Sequence, residues 1–204
     1  MQGAGLSAVL ASLVLSPVLG LAFGFAAFRL ARVLLRRAAP RANTALRLVQ
    51  VPAVVALAIS HGVNDPPKTM GVIVLALIAS GRMGAYQIPA WVVAVSLGAF
   101  ALGTSLAGWR VMRTLGARII RLRPVHSLAA LVAGSIVIMG AGVAGAPVSL
   151  PHVMSTSILG VGAGERPNKV RWYLLGDMLV AWLLTLPVSA LLAAGAFELL
   201  QSLA

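Results

Sequence analysis

The stretch SHGVNDPPKTMG, Ser60 to Gly71, sets a carboxylate, an amide, a lysine and two prolines between two strongly apolar segments. The chain holds only four acidic residues, so Asp65 stands out. A carboxylate in apolar surroundings must be paired, proton-bound or coordinated to a cation. Asn64 either ligates a cation through its side-chain carbonyl or caps a helix beginning at Pro66. Lys68 either supplies charge to an anion or neutralises Asp65. His61 is either a proton-sensitive ligand or a hydrogen-bond partner for the backbone at a break.

A second polar group, GAPVSLPHVMSTS, follows about eighty residues later. Ser149 can donate to an anion, and His152 sits beside Pro151 with either a direct or a structural role. Ser155, Thr156 and Ser157 either line the same cavity or pack between membrane helices. Asp177 is either a second intramembrane charge or an interfacial residue paired with Arg171. No HExxH, phosphate-binding glycine loop or GxSxG elbow is present, and there is no cysteine. These absences argue against an enzyme, and neither a metal site nor a cofactor is expected.

The elements around these residues belong in lipid. Of 204 residues, 60% are hydrophobic and 10% charged, against about 25% charged in soluble domains; the mean hydropathy is +0.98. The formal charge is +12. Its largest sources are Arg29, Arg32, Arg36, Arg37, Arg41 and Arg47, then Arg110, Arg113, Arg118, Arg121 and Arg123. Both clusters adjoin long apolar runs, so the positive-inside rule explains them and nucleic acid is not an expected partner. Basic cytoplasmic loops are expected at about 31–47 and 110–124. The N-terminal region lacks the basic start of a secretory signal, which favours a retained first helix with its N-terminus outside.

The hydropathy predicts an all-α integral membrane protein, a single transmembrane domain over 1–204 with about five to six passes. Segment one runs from about Leu6 to Leu30. Segment two is broken: its helix is predicted to stop near His61 and restart near Pro66, because Gly62 permits other backbone and the prolines lack donors. Segment three covers Pro89 to Trp109. Segment four is broken again at its Gly/Pro-rich centre, and a fifth runs from about Trp172 to Leu200. Arg166, Lys169 and Arg171 join the other basic groups only if segment four is a hairpin or crosses twice. Half-helix N-termini favour anions and unwound carbonyls favour cations, so two breaks point to the site of a secondary transporter.

SHGVNDPPKTMGVIVLAL, ALGTSLAGWRVMRTLG, GAPVSLPHVMSTSILGVG and AWLLTLPVSALLAAG together resemble the C-terminal half of the inorganic phosphate transporter family, the low-affinity phosphate permeases. The resemblance implies an inverted-repeat fold and a cation-coupled carrier, driven by H+ or Na+. The substrate it implies is inorganic phosphate, free or as a metal-phosphate complex. It places Asn64 and Asp65 on the cation and Lys68, Thr69, Ser149 and His152 near the anion, with Gly62, Gly71, Pro147 and Val148 in the same motifs. It also implies a multi-pass protein of the bacterial cytoplasmic membrane, in contact with lipid. Two departures thin the ligand shell. Pro66 and Pro67 replace a small residue and a glutamine, and Leu150 and Pro151 replace two threonines. One copy of each signature is visible, so half a transporter is expected, needing a second half or a homodimer. The alternative is a transport-incompetent structural or regulatory subunit, or a remnant.

Overall fold

The computed structural model describes residues 2–37, 42–118 and 123–203, so the expected basic loops fall partly outside the described residues. Among these, the regular elements are helices: α1 (Gln2–Leu34), α2 (Ala42–Asn64), α3 (Pro66–Ala79), α4 (Ala90–Arg118), α5 (Pro124–Val143), α6 (Leu150–Glu165) and α7 (Tyr173–Leu203), with a 3-10 turn at Pro167–Lys169. Four stretches are long and apolar enough to cross a membrane: Ala11–Leu34, Asn43–Ala79, Pro124–Val143 and Tyr173–Leu199. Ala90–Leu106 is a shorter apolar helix. Backbone groups in lipid must be satisfied within the segment, which is why every pass is helical.

The chain divides into two units, Met1–Val170 and Arg171–Ala204. The second unit is essentially α7, which carries Pro187 inside it and apolar side chains exposed along its length.

In the first unit, α1 and α6 make the closest approach. Both carry glycine at four-residue spacing, Gly20 and Gly24 on α1 and Gly160 and Gly164 on α6. A Cβ on Gly24 would collide with the Ser157 carbonyl, and one on Gly160 with the Leu21 carbonyl. Small residues at this spacing let membrane helices pack backbone to backbone, where van der Waals contact replaces the hydrophobic effect. Ser157 is fully buried there. Ser155 and Thr156 return their hydroxyls to the carbonyls of Pro151 and His152 on their own helix. These three hydroxyl residues therefore serve packing.

α5 and α6 form a hairpin. Arg123 Nη1, where α5 begins, lies 3.6 Å from Glu165 Oε1, where α6 ends. Segment four thus returns to the side it left and brings Arg166 level with Arg123. The buried His126 reinforces that end: its Nδ1 accepts the Arg123 N–H at 3.2 Å, its Nε2 is 3.5 Å from Glu165 Oε2, and its ring packs on Phe28.

The opposite end of the hairpin is a tight turn over residues 144–149. Gly145 has φ +67°, the left-handed conformation that glycine adopts without Cβ strain. Around it, the Gly145 N–H donates to Gly142 O at 3.1 Å and the Ala146 N–H to Ala141 O at 2.8 Å. This is the Schellman arrangement, which satisfies the last carbonyls of α5.

The tip of the hairpin reaches only part-way along its neighbours. Gln50 Nε2 donates to Pro124 O at the base, while Asn64 lies beside Gly142 near the tip. From that level α3 continues for 14 residues, roughly 21 Å at helical rise. α1 passes the tip at Ser12, whose hydroxyl donates to Pro147 O at 3.0 Å. The tip thus meets the Asn43–Ala79 stretch within its length rather than at its end.

The first break differs from its expected form. α2 does not stop near His61 but runs to Asn64, and the interruption is Asp65 alone. Asp65 keeps helical dihedrals (φ −90°, ψ −48°) and donates its N–H to His61 O at 3.0 Å. Gly62 is accommodated in the helix, and Pro66 and Pro67 fill the first positions of α3, where a missing N–H costs least.

Candidate functional site

Asp65 sits at the joint between α2 and α3 with both carboxylate oxygens engaged from its own chain segment. Lys68 Nζ donates to Oδ1 at 2.7 Å, and His61 Nδ1 stands 3.0 Å from Oδ2. These partners lie one helical turn on either side, the spacing at which side chains share a helix face. The His61 ring is held edge-on against Phe100 of α4, with centroids 4.8 Å apart.

Lys68 also reaches across to the hairpin. Its ammonium donates to the Val148 carbonyl at 2.6 Å, eighty residues away in sequence. It neutralises Asp65, and with two of its three N–H groups used, it retains one for the adjoining cleft. That cleft, about 280 Å³, is lined by Asn64 and Lys68 on one side and by Gly142, Gly145, Ala146 and Pro147 on the other.

Asn64 is 7% exposed, and its Oδ1 has no hydrogen-bond donor. It does not cap α3: the cap position belongs to Asp65, and no side chain makes a cap bond there. Of its two readings, ligand and cap, the cap is not formed.

The two helix starts at this level differ in what they offer. Pro66 and Pro67 have no N–H, and the Lys68 N–H donates to Asp65 O at 3.1 Å. The start of α3 thus lacks the free donors expected of a half-helix. The same prolines deprive the Gly62 and Val63 carbonyls of their helical donors four residues on. α6 begins after Ser149, whose side chain makes no cap bond. Its first turn keeps the N–H groups of Leu150 and His152, since only Pro151 lacks one.

Asn64, Asp65 and Lys68 are therefore gathered with the hairpin tip, and Ser149 directly follows the carbonyl that Lys68 holds. Thr69 is exposed on α3, and His152 is half-buried in the first turn of α6; neither lines the cleft. Asp177 is exposed in the second turn of α7, in the other unit. The Val148 carbonyl and the glycines of the tip had no mark in the sequence as ligands. The only signal was the Gly-Ala-Pro run that forces the turn. A second cavity, about 350 Å³ between α1 and α5, is apolar apart from Ser12 and Ser16. Among the described residues, no group of three metal-binding side chains occurs.

A discontinuous helix bearing a carboxylate, joined by a lysine to the tip of a helical hairpin, is a transporter-like arrangement. The model of the phosphate transporter family matches residues 1–193. The chain belongs to the phosphate transporter family. It is 37% identical over 199 residues to a probable low-affinity inorganic phosphate transporter of Bacillus subtilis, covering 97% of this chain and 60% of that protein. A protein of Rhizobium meliloti with the same description is 36% identical, over 93% of this chain and 58% of its own length. One from Mycobacterium tuberculosis is 37% identical over 79% of this chain and 39% of its own length. This family member thus spans about three-fifths or less of these relatives. No solved structure matches it. Its family and its apolar helices make it a multi-pass membrane protein, in bacteria one of the cell membrane. The relatives are described as transporters, not enzymes.

Proposed function

We propose that the chain contributes to cation-coupled symport of inorganic phosphate across the cell membrane, and that the cleft at Asp65 is part of its path. The observation that carries this reading is the Lys68 ammonium, shared between the carboxylate of the broken helix and a carbonyl of the hairpin tip. Asp65 and Asn64 serve a coupling H+ or Na+. Lys68, Ser149 and the start of α6 face the anion, with Thr69 and His152 entering as the elements close. Phosphate enters free or as a metal-phosphate complex. The remainder of the site comes from a second transporter half or from a second copy of this chain, because alternating access needs one bundle to move against another.

A second reading has one observation behind it. Pro66, Pro67 and Pro151 remove N–H groups from two helix starts, as expected of a subunit whose site has decayed while its packing survived. Radiolabelled phosphate uptake into proteoliposomes of the purified chain, with proton and sodium gradients imposed, separates the two. Saturable, gradient-driven uptake that D65N abolishes supports the carrier. Uptake unchanged by D65N removes Asp65 from the mechanism. Absence of uptake, alone and with a co-expressed partner half, favours the decayed subunit.

A further inference from the structure

We propose that Lys68 is a tethered cation: its ammonium occupies the place a free monovalent cation would take at Asp65 and competes with it. This rests on the reading of Asp65 as a cation ligand and goes on to say what holds that position at rest. The ammonium bridges Asp65 Oδ1 at 2.7 Å and Val148 O at 2.6 Å, two oxygens from separate elements converging on one charge. Carboxylate, amide and backbone oxygens are also the donor set of hard cations.

More oxygens of that kind stand ready. Asn64 Oδ1 is buried without a donor on the wall of the same cleft. The Gly62 and Val63 carbonyls have lost their helical donors to Pro66 and Pro67.

Charge makes the two occupants exclusive. Asp65 already holds Lys68 on one oxygen and His61 on the other. A further cation would place two full positive charges on one carboxylate within a membrane span, where like charges repel strongly. Lys68 is able to leave, since its side chain is 39% exposed and flexible. An anion in the cleft would draw the ammonium off Asp65 and Val148, opening the oxygens to a free cation. Anion and cation would then bind together or not at all, with Lys68 as the moving part.

The test needs neither phosphate nor transport. Thermal unfolding of the full chain in lipid nanodiscs is compared in sodium chloride and choline chloride at equal ionic strength, for wild type, K68M, K68R and the double variant D65N/K68M. Wild type and K68R should unfold at the same temperature in both salts. K68M should unfold earlier in choline and regain about 5 °C in saturating sodium, and the double variant should not respond. If K68M does not fold, K68Q, whose amide retains a donor for Val148 O, carries the same comparison. A folded Lys68 variant no more sodium-responsive than wild type overturns the proposal, as does a wild type that is itself sodium-stabilised to the same extent. A sodium response in K68M, with no phosphate uptake by the wild type either alone or with a co-expressed partner half, would sink the transport reading and leave the tethered cation standing. Uptake without that response would do the reverse.

Discussion

The two interruptions in this chain solve opposite problems. At Asp65 the helix barely breaks: one residue separates α2 from α3, its dihedrals stay helical, and the polarity lies in side chains. At residues 144–149 the chain reverses, its polarity lies in the backbone, and Gly145 carries the turn at φ +67°. The first region holds a carboxylate, an orphan amide oxygen and carbonyls stripped of donors, the chemistry of a cation. The second adds the N–H groups that begin α6, the chemistry of an anion. Lys68 joins them. Two motifs that read alike as broken helices are therefore not equivalent, and each should fail differently when changed.

The largest effect is expected at the charged joint. D65N removes the negative charge that Lys68 and His61 surround, and coupled phosphate uptake should fall to background. The hairpin should survive, as proteolytic protection of residues 124–165 would report. Next comes the turn. G145V forces a β-branched side chain into the left-handed region and should cost about 1–3 kcal/mol, read as a lower unfolding temperature in nanodiscs.

The sign should invert at the first break. A Cβ on Gly62 meets nothing within 4 Å, and Gly62 lies inside α2. G62A should therefore stabilise by about 0.5–1 kcal/mol. A loss of stability there would mean that the first break is a turn after all. The smallest effect is expected from S149A. Ser149 makes no cap bond, so its loss should change stability by less than about 0.5 kcal/mol rather than the ~1 kcal/mol of a working cap. Any larger effect of S149A on uptake than on unfolding would point to contact with the anion.

Much of this arrangement was legible from residue types. Apolar runs gave the all-helical membrane fold, because lipid leaves no alternative to helices; among the described residues four stretches are long enough to cross, against the five to six passes expected. The composition of SHGVNDPPKTMG singled out Asp65 for the same reason. The extent of the first break was misread because Gly62 and the proline pair each carry two meanings. Glycine is tolerated inside a helix as well as at its end, and proline begins a helix as readily as it ends one. The choice between a crossing and a hairpin in segment four depended on Arg123 meeting Glu165, a pairing between residues 42 positions apart that no local pattern encodes. The bond from Lys68 to Val148 O was hidden twice over, being distant in sequence and made to a backbone carbonyl, which any residue supplies.

Whether the two breaks share one cleft can be measured in the membrane, and the absence of cysteine leaves a clean background. V63C and A146C place thiols on opposite walls of the cleft beside Lys68. A short bifunctional thiol reagent should link them within one chain, as mapped by peptide mass spectrometry, and inorganic phosphate should slow the reaction where chloride does not. No intramolecular link from a folded, labelled protein would contradict the meeting of the broken helix and the hairpin tip on which the transport reading stands.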